Sequence, residues 1–483
     1  MMLSSILFFV SCKDLVNVEP RQSIDTAGAL NSQENINAAI TDVYVSLKSA
    51  EIFGRDLFST TEALGDDSRI INRAGGRYVN QGNNVINNHI GGWATYYTAI
   101  NKANLVLTAL QADATKKESE AIFPKARNTE LEGELKFLRA LMYFNLARTY
   151  AFEPKAIIPA LDKGGVPLLL KGVNQVSDVT YPERASVDAV YAQIYADLTD
   201  AVAKTPATGG PNRGTKAAAN ALFARVALYN EDWTNAIKYS TDALAGGVGR
   251  FVGAAEYVSS WRASSHPESI FEILFQTRQE NIGVNESIQS AYTSIGTVAE
   301  ATALLASRPT VLPPASGWGA VVPTAALLAL YDSIDVRRGI YQLGLNRSNT
   351  IVTECTKFLG RSGVVYMDNL PVIRVSELFL IRAEAYAKQD RIVESLADVN
   401  RIRTRAGITL STAATSAALL TEIEKQRRLE LAFEGHRWFD LKRNKKDVIK
   451  STGNVPYGDT RTLASLPVSE ILVNPKLVQN AGY

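Results

Sequence analysis

The chain has 483 residues, 46% hydrophobic and 21% charged, an ordinary globular composition at a length beyond what one hydrophobic core usually serves. Its 51 basic and 49 acidic side chains leave a formal charge of +2, too small for a basic face that would bind nucleic acid or for an acidic halo. Cys12 and Cys355 are the only cysteines, and His89, His266 and His436 lie far apart, which excludes a disulfide scaffold, a multi-cysteine metal cage and a His-x-x-x-His helix. No apolar run approaches the roughly 20 residues needed to cross a bilayer as a helix.

In chain order, Met1–Val10 (MMLSSILFFV) is apolar and leads into Ser11 and Cys12. Its length matches the roughly 7–15-residue apolar core of a secretory signal. A small residue directly before a cysteine resembles the lipobox of bacterial lipoproteins. The expectation is a signal peptide over 1–11, acylation of Cys12 and a polar tether over 12–34. The competing reading is an N-terminal buried strand with a core cysteine. Acyl chains contribute about 0.8 kcal/mol per buried CH₂, so such an anchor needs no transmembrane helix. Cys355 reads as a small buried hydrophobe.

From Asn35 to Leu47 the apolar Ile36, Ala39, Ile40, Val43 and Leu47 recur at helical spacing. Gly65–Gly92 is rich in Asp, Asn, Gly and Arg without periodicity, the mark of a functional loop. Helices are predicted at Trp93–Leu110 and Thr129–Tyr150. The second is apolar on two faces (Phe137, Leu141 and Phe144; Ala140, Tyr143, Ala147 and Tyr150), so it is expected to be covered on both sides, as in stacked helical hairpins. An extended segment, VPLLL, precedes a helix over Val187–Ala203 and a hairpin over Lys216–Leu244. That hairpin has an alanine-rich first helix, a turn at Asn230–Trp233, a cap at Asp232 and a stop at Gly246–Gly247.

Phe271–Arg278 reads as a strand, and helices return at Pro323–Leu330, Val375–Lys388, Val393–Ala406 and Ala417–Lys442. Arg139-Ala140-x-x-Tyr143 recurs as Arg382-Ala383-x-x-Tyr386, a spacing that fits tetratricopeptide-like helix pairs of about 34 residues. The expected fold is therefore mainly α, an α-α superhelix of such pairs with long irregular loops and a few short strands. An N-terminal helical region over 35–270 and a C-terminal region over 271–483 would pack as one globular unit.

The chain has no phosphate-cradling Gly-x-x-x-x-Gly-Lys, Rossmann fingerprint, Gly-x-Ser-x-Gly elbow or His-Glu-x-x-His helix, and no catalytic residue, metal or cofactor is assigned. Asp66 and Asp67 would be the acid and base of a surface glycosidase, yet adjacent carboxylates on a polar loop are usually just solvated. The densest charge cluster, Glu422–Lys446, sets Arg427, Glu430, Leu431, Glu434 and Arg437 along one helix face, where Glu434–Arg437 and Arg437–Asp440 are expected to pair. It reads as a laced structural helix rather than an anion or nucleic-acid site.

Sugar rings present C–H faces to flat aromatic side chains and hydroxyls to Arg, Asn and Asp forks. The first irregular loop supplies Arg73, Arg77, Tyr78, Asn80 and Asn84, and the second supplies Tyr292 and Trp318. Trp318, between Gly317 and Gly319, is either a core plug or an exposed stacking surface.

The C-terminal blocks PVIRVSELFLIRAEAYA, RRLELAFEGHRWFDLKR and LPVSEILVNPKLVQNAGY resemble, in order, the signature segments of the SusD/RagB family. Upstream, WATYYTAINKANLVL, ELKFLRALMYFNLARTYA and GWGAVVPTAALLALYDSIDVRRG look like its other landmarks. The resemblance implies a non-enzymatic outer-membrane lipoprotein of the Bacteroidota type, facing the cell exterior. It would sit as a lid on a TonB-dependent (SusC-like) barrel and deliver glycans to it. The alternatives are a peptide-binding subunit of the same transporter type and, from another class, the surface glycosidase. Family ligand sites lie in variable loops, and Trp318 and Tyr292 fall in that part of the chain.

Overall fold

The computed structural model describes residues 29–71, 75–87, 89–277, 280–294, 317–344, 352–360 and 364–483. Cys12 and Arg73 lie outside these residues.

The main helices are α1 (Gln33–Leu47), α2 (Asp56–Leu64), α3 (Trp93–Ala114), α4 (Lys125–Tyr150), α5 (Val187–Lys204), α6 (Lys216–Tyr229), α7 (Trp233–Ala245), α8 (Val375–Lys388), α9 (Ile392–Ala406), α10 (Ser416–Glu430) and α11 (Arg437–Arg443). The larger ones stack in a ladder: α1 on α3, α3 on α4, α4 on α5, α5 on α6, α6 on α7, α7 on α8, and α8 on both α9 and α10. The fold is thus mainly α, of tetratricopeptide-like pairs. The two apolar faces of α4 are both covered, one by α3 and the other by α5. In α6 the run of alanines removes side-chain bulk, so this helix packs among α5, α7 and α8 with Ala217–Tyr229 all buried. Asp232 caps α7 by accepting from the Asn235 N–H at 3.2 Å, and Gly246 ends it.

The Arg-Ala-x-x-Tyr echo has a structural counterpart. Arg139 on α4 holds Asp197 of the succeeding α5 through two hydrogen bonds of 2.8 and 2.6 Å. Arg382 on α8 holds Asp398 of α9 in the same way, at 2.7 and 2.8 Å. The segment VPLLL is extended but joins no strand. Instead, Asn104 and Tyr143 donate to the Leu169 carbonyl at 2.8 and 2.9 Å, and the Tyr143 hydroxyl accepts from the Leu169 N–H at 2.7 Å.

Among the described residues, six short strands form three two-stranded antiparallel sheets: β1 (Ser68–Ile70) with β3 (Val321–Pro323), β2 (Ser269–Ile273) with β6 (Leu370–Arg374), and β4 (Tyr341–Leu343) with β5 (Thr353–Cys355). Cys355 is fully buried on β5, and burial pushes its thiol up to about 12, as befits an inert core residue. One apolar cluster runs from Ile36 to Leu477 and joins both halves of the chain.

The expected helix over Ala417–Lys442 is two helices. Between α10 and α11 the chain turns through Phe433 (φ 64°) and Gly435 (φ 77°), both in the left-handed region. This re-aims every charged side chain beyond Glu430, so the Glu434–Arg437 and Arg437–Asp440 pairs do not form. Glu434 is held instead by Lys357 (2.6 Å) and Arg374 (2.7 Å), and Asp440 by Arg427 (3.1 Å) and Arg443 (2.7 Å). Arg437 crosses to Asp66 at 2.6 Å. The cluster remains scaffolding, but it ties separate elements together rather than lacing one helix.

Candidate functional site

The pairing of β1 with β3 sets Ile70 opposite Val321 and Ser68 opposite Pro323. It thereby joins the first irregular loop, which leaves β1, to the segment around Trp318, which enters β3. Where they meet, the Arg77 guanidinium lies over the Trp318 ring, 4.0 Å from its centroid. At this distance a cation and an indole attract by about 0.5–2 kcal/mol.

Both residues are half-buried and locked by backbone carbonyls of one short helix, Gly283–Glu286. The indole Nε1 donates to the Val284 oxygen at 2.6 Å, and Arg77 Nη1 donates to the Asn285 oxygen at 2.6 Å. Arg55 reaches the same Asn285 oxygen at 3.0 Å while pairing with Asp56 and Glu286. The Trp318 N–H is fixed at 3.0 Å on Ser290 Oγ, and Gly319 takes φ +51°. The result is a rigid indole–guanidinium stack supplied by two loops far apart in sequence.

The other sequence candidates separate. Tyr78 (φ 60°) is half-buried, its hydroxyl 3.1 Å from Ser59 Oγ, and burial pushes its phenol up to about 12. Asn80 is exposed on the loop. Asn84 is buried and structural, donating to the Leu64 oxygen at 3.1 Å. Tyr292 is fully buried at the end of the short helix Ile288–Tyr292, its ring packed on Phe433 (5.0 Å) and Phe358 (6.1 Å). It has no face to offer a ligand, because that helix turns its aromatic end into the core.

Asp66 and Asp67 are not solvated. Arg437 clamps Asp66 at 2.6 and 3.0 Å, Arg428 holds Asp67, and both carboxylates are buried. An acid–base pair needs a group free to exchange protons with substrate, and here a guanidinium fork holds Asp66 while Asp67 is fully buried against Arg428.

Sequence reasoning missed the cleft on the flank of the first loop. About 630 Å³ in volume, it is lined by Arg69, Ile70 and Val79 of the loop, by Thr324–Ala326 and by Ile449–Thr452. Lys450 braces it, donating to the carbonyls of Ala63 (2.6 Å) and Gly82 (2.9 Å) and to Asn84 Oδ1 (2.8 Å). Burial brings its ammonium down to about 7. A lysine in a charged terminal segment gives no sequence signal for such a role. Among the described residues no group of His, Cys, Asp or Glu is placed to hold a metal ion. The arrangement brings together a flat stack and polar forks.

Two family models match this chain. One, described as starch-binding associating with outer membrane, matches residues 15–228, and the other, the SusD family, matches residues 356–483. The SusD-like protein P38 of Formosa agariphila is 23% identical over an alignment covering 100% of this chain and 98% of its own length. A SusD-like protein of Bacteroides ovatus is also 23% identical, over 73% of this chain and 64% of its own.

Among solved structures, a SusD superfamily protein from Bacteroides thetaiotaomicron superposes with a TM-score of 0.77 at 22% identity, covering 93% of this chain and 99% of its own. A laminarin-binding SusD-like protein gives 0.72 at 22% identity, covering 94% and 100%. The two models match residues toward both ends of the chain, the P38 relative aligns over its full length, and the fold is the one these structures share: the chain is similar to the SusD/RagB family from end to end.

Proposed function

We propose that this protein is a cell-surface lipoprotein, anchored through Cys12, that captures oligo- or polysaccharide and delivers it to a TonB-dependent outer-membrane barrel. The observation that carries the glycan reading is the Trp318–Arg77 stack, held at the surface by the carbonyls of Val284 and Asn285. An indole with a guanidinium stacked over its ring combines flat surface with N–H donors, and a sugar ring offers C–H bonds to the first and hydroxyls to the second. Family association with the outer membrane supports the location, and the laminarin-binding neighbour supports a glucan as the first ligand to try. Exposed apolar side chains near the C-terminus, Val468 (68% exposed), Leu472 (80%) and Val473 (64%), support a protein partner, since contiguous apolar surface marks interaction sites.

The test is calorimetric titration with laminarin and starch oligosaccharides beside a thermal melt. Trp318→Ala is expected to weaken binding by about 1–3 kcal/mol, the scale of other aromatic stacking contacts. Trp318→Phe, which keeps a face but loses the Nε1 donor, should recover part of that. Wild-type affinity in a Trp318→Ala variant that melts normally would remove the stack from the site.

A further inference from the structure

The C-terminal helices enclose a second cavity that shares no lining residue with the Trp318 stack. It measures about 250 Å³ and lies among α8, α10 and α11, with Asp67 at its edge. This is just below the roughly 300–1,000 Å³ usual for small-molecule sites. Six cationic side chains line it against four carboxylates. The carboxylates are already engaged by neighbouring guanidinium and ammonium groups. Asp440 takes Arg427 Nε and Nη2 at 3.2 and 3.1 Å and Arg443 Nε at 2.7 Å, Glu384 takes both Nη atoms of Arg443, Asp67 holds Arg428, and Glu424 pairs with Lys446.

Two cationic groups stand apart. Arg427 is 2% exposed, and its Nη1 has no hydrogen-bond partner among the described residues. Lys388 lines the cavity from α8, its ammonium 5.5 Å from the Trp233 ring and unpaired with any carboxylate among the described residues.

We propose that this cavity binds the oxyanion of a small acid, specifically a carboxylate, with the Arg427 guanidinium as the inner cation and Lys388 as the outer one. A guanidinium edge and an ammonium on one side of a small cavity suit a group that is flat, negative and acceptor-only. A neutral sugar would leave the Lys388 charge uncompensated.

The experiment is isothermal titration of the full chain with sodium glucuronate, glucose and sodium sulfate. Saturable binding of glucuronate with none of glucose is expected. Lys388→Gln, at an exposed position, should weaken it about tenfold, the scale of one charge-assisted hydrogen bond. Leu420→Trp, which fills the cavity from α10, should abolish it; a thermal melt checks that both variants are folded. Trp318→Ala should leave glucuronate affinity unchanged, which keeps this site separable from the glycan reading. Absence of glucuronate binding, or equal affinity in both cavity variants, overturns the proposal. Binding of sulfate without glucuronate overturns the carboxylate assignment.

Discussion

Glu62 carries its carboxyl on α2 into the buried interior, where Oε1 accepts the Gly435 N–H at 3.0 Å. Burial first, and the neighbouring Asp67 next, push it up to about 8 from an ordinary 4.5. The folded chain therefore keeps this proton up to about pH 8, while the unfolded chain releases it near 4.5. Between those values the folded state binds the extra proton, so the stability this group contributes is full below about 4.5 and falls as pH rises through 8, by at most about 1.4 kcal/mol per pH unit. Glu62→Gln keeps an acceptor for Gly435 and cannot ionise. Its melting temperature relative to wild type should climb from pH 4.5 to 8, and a pH-independent difference would show that Glu62 titrates normally. Such chemistry is invisible in the sequence, where Glu62 is one acid in a mixed segment. The same limit applies to the ligand residues. Trp318 between glycines was legible as a singular residue, but only the β1–β3 pairing reveals that Arg77 covers it. Tyr292 was misplaced because a short helix within a weakly patterned region gave no period from which to assign its face.

At the scale of elements, apolar periodicity located the helices with one solvent face, α1, α5 and α9, to within a few residues. It missed α2, because Leu57–Leu64 are all buried and a helix without a polar face shows no contrast to read. It also ran α10 and α11 together, since charges at i, i+3, i+4 and i+7 continued across the break. The signal for that break was Gly435. Its φ is 77°, and an added Cβ would stand 2.6 Å from the Leu57 oxygen. Gly435→Ala should destabilise by more than the roughly 1–2 kcal/mol of a left-handed alanine alone, because the clash adds to it; chemical denaturation measures this, and a near-neutral substitution would mean the turn can move. The repeated clamps make a second prediction. Arg139–Asp197 is buried, with side chains 8% and 3% exposed. Arg139→Ala should cost about 3–5 kcal/mol by stranding Asp197. Arg382–Asp398 is more exposed at 17% and 9%, so Arg382→Ala should cost less. Equal losses would mean that burial does not set the strength of these clamps.

At the scale of the molecule, one apolar cluster joins the helix ladder to Ile288, Tyr292 and Val321 beside the Trp318–Arg77 stack, so the body is built to present its loops from a stiff support. Among the described residues no helix is long and apolar enough to cross a membrane. In the proposed function, membrane attachment rests on lipid at Cys12. One acyl chain holds only marginally, and stable retention takes two or more, each CH₂ contributing about 0.8 kcal/mol. Anchor and fold are expected to be independent, because α1 begins at Gln33, well beyond Cys12. Cys12→Ser should therefore shift the protein from detergent-requiring membrane fractions to the soluble pool without changing its melting temperature or its affinity for laminarin. The measurement belongs in cells lacking the partner barrel, since docking alone would hold an unlipidated body at the membrane. Retention of Cys12→Ser in those cells would show that something other than an acylated cysteine makes the attachment, and the lipobox reading would fall while the ligand stack stood.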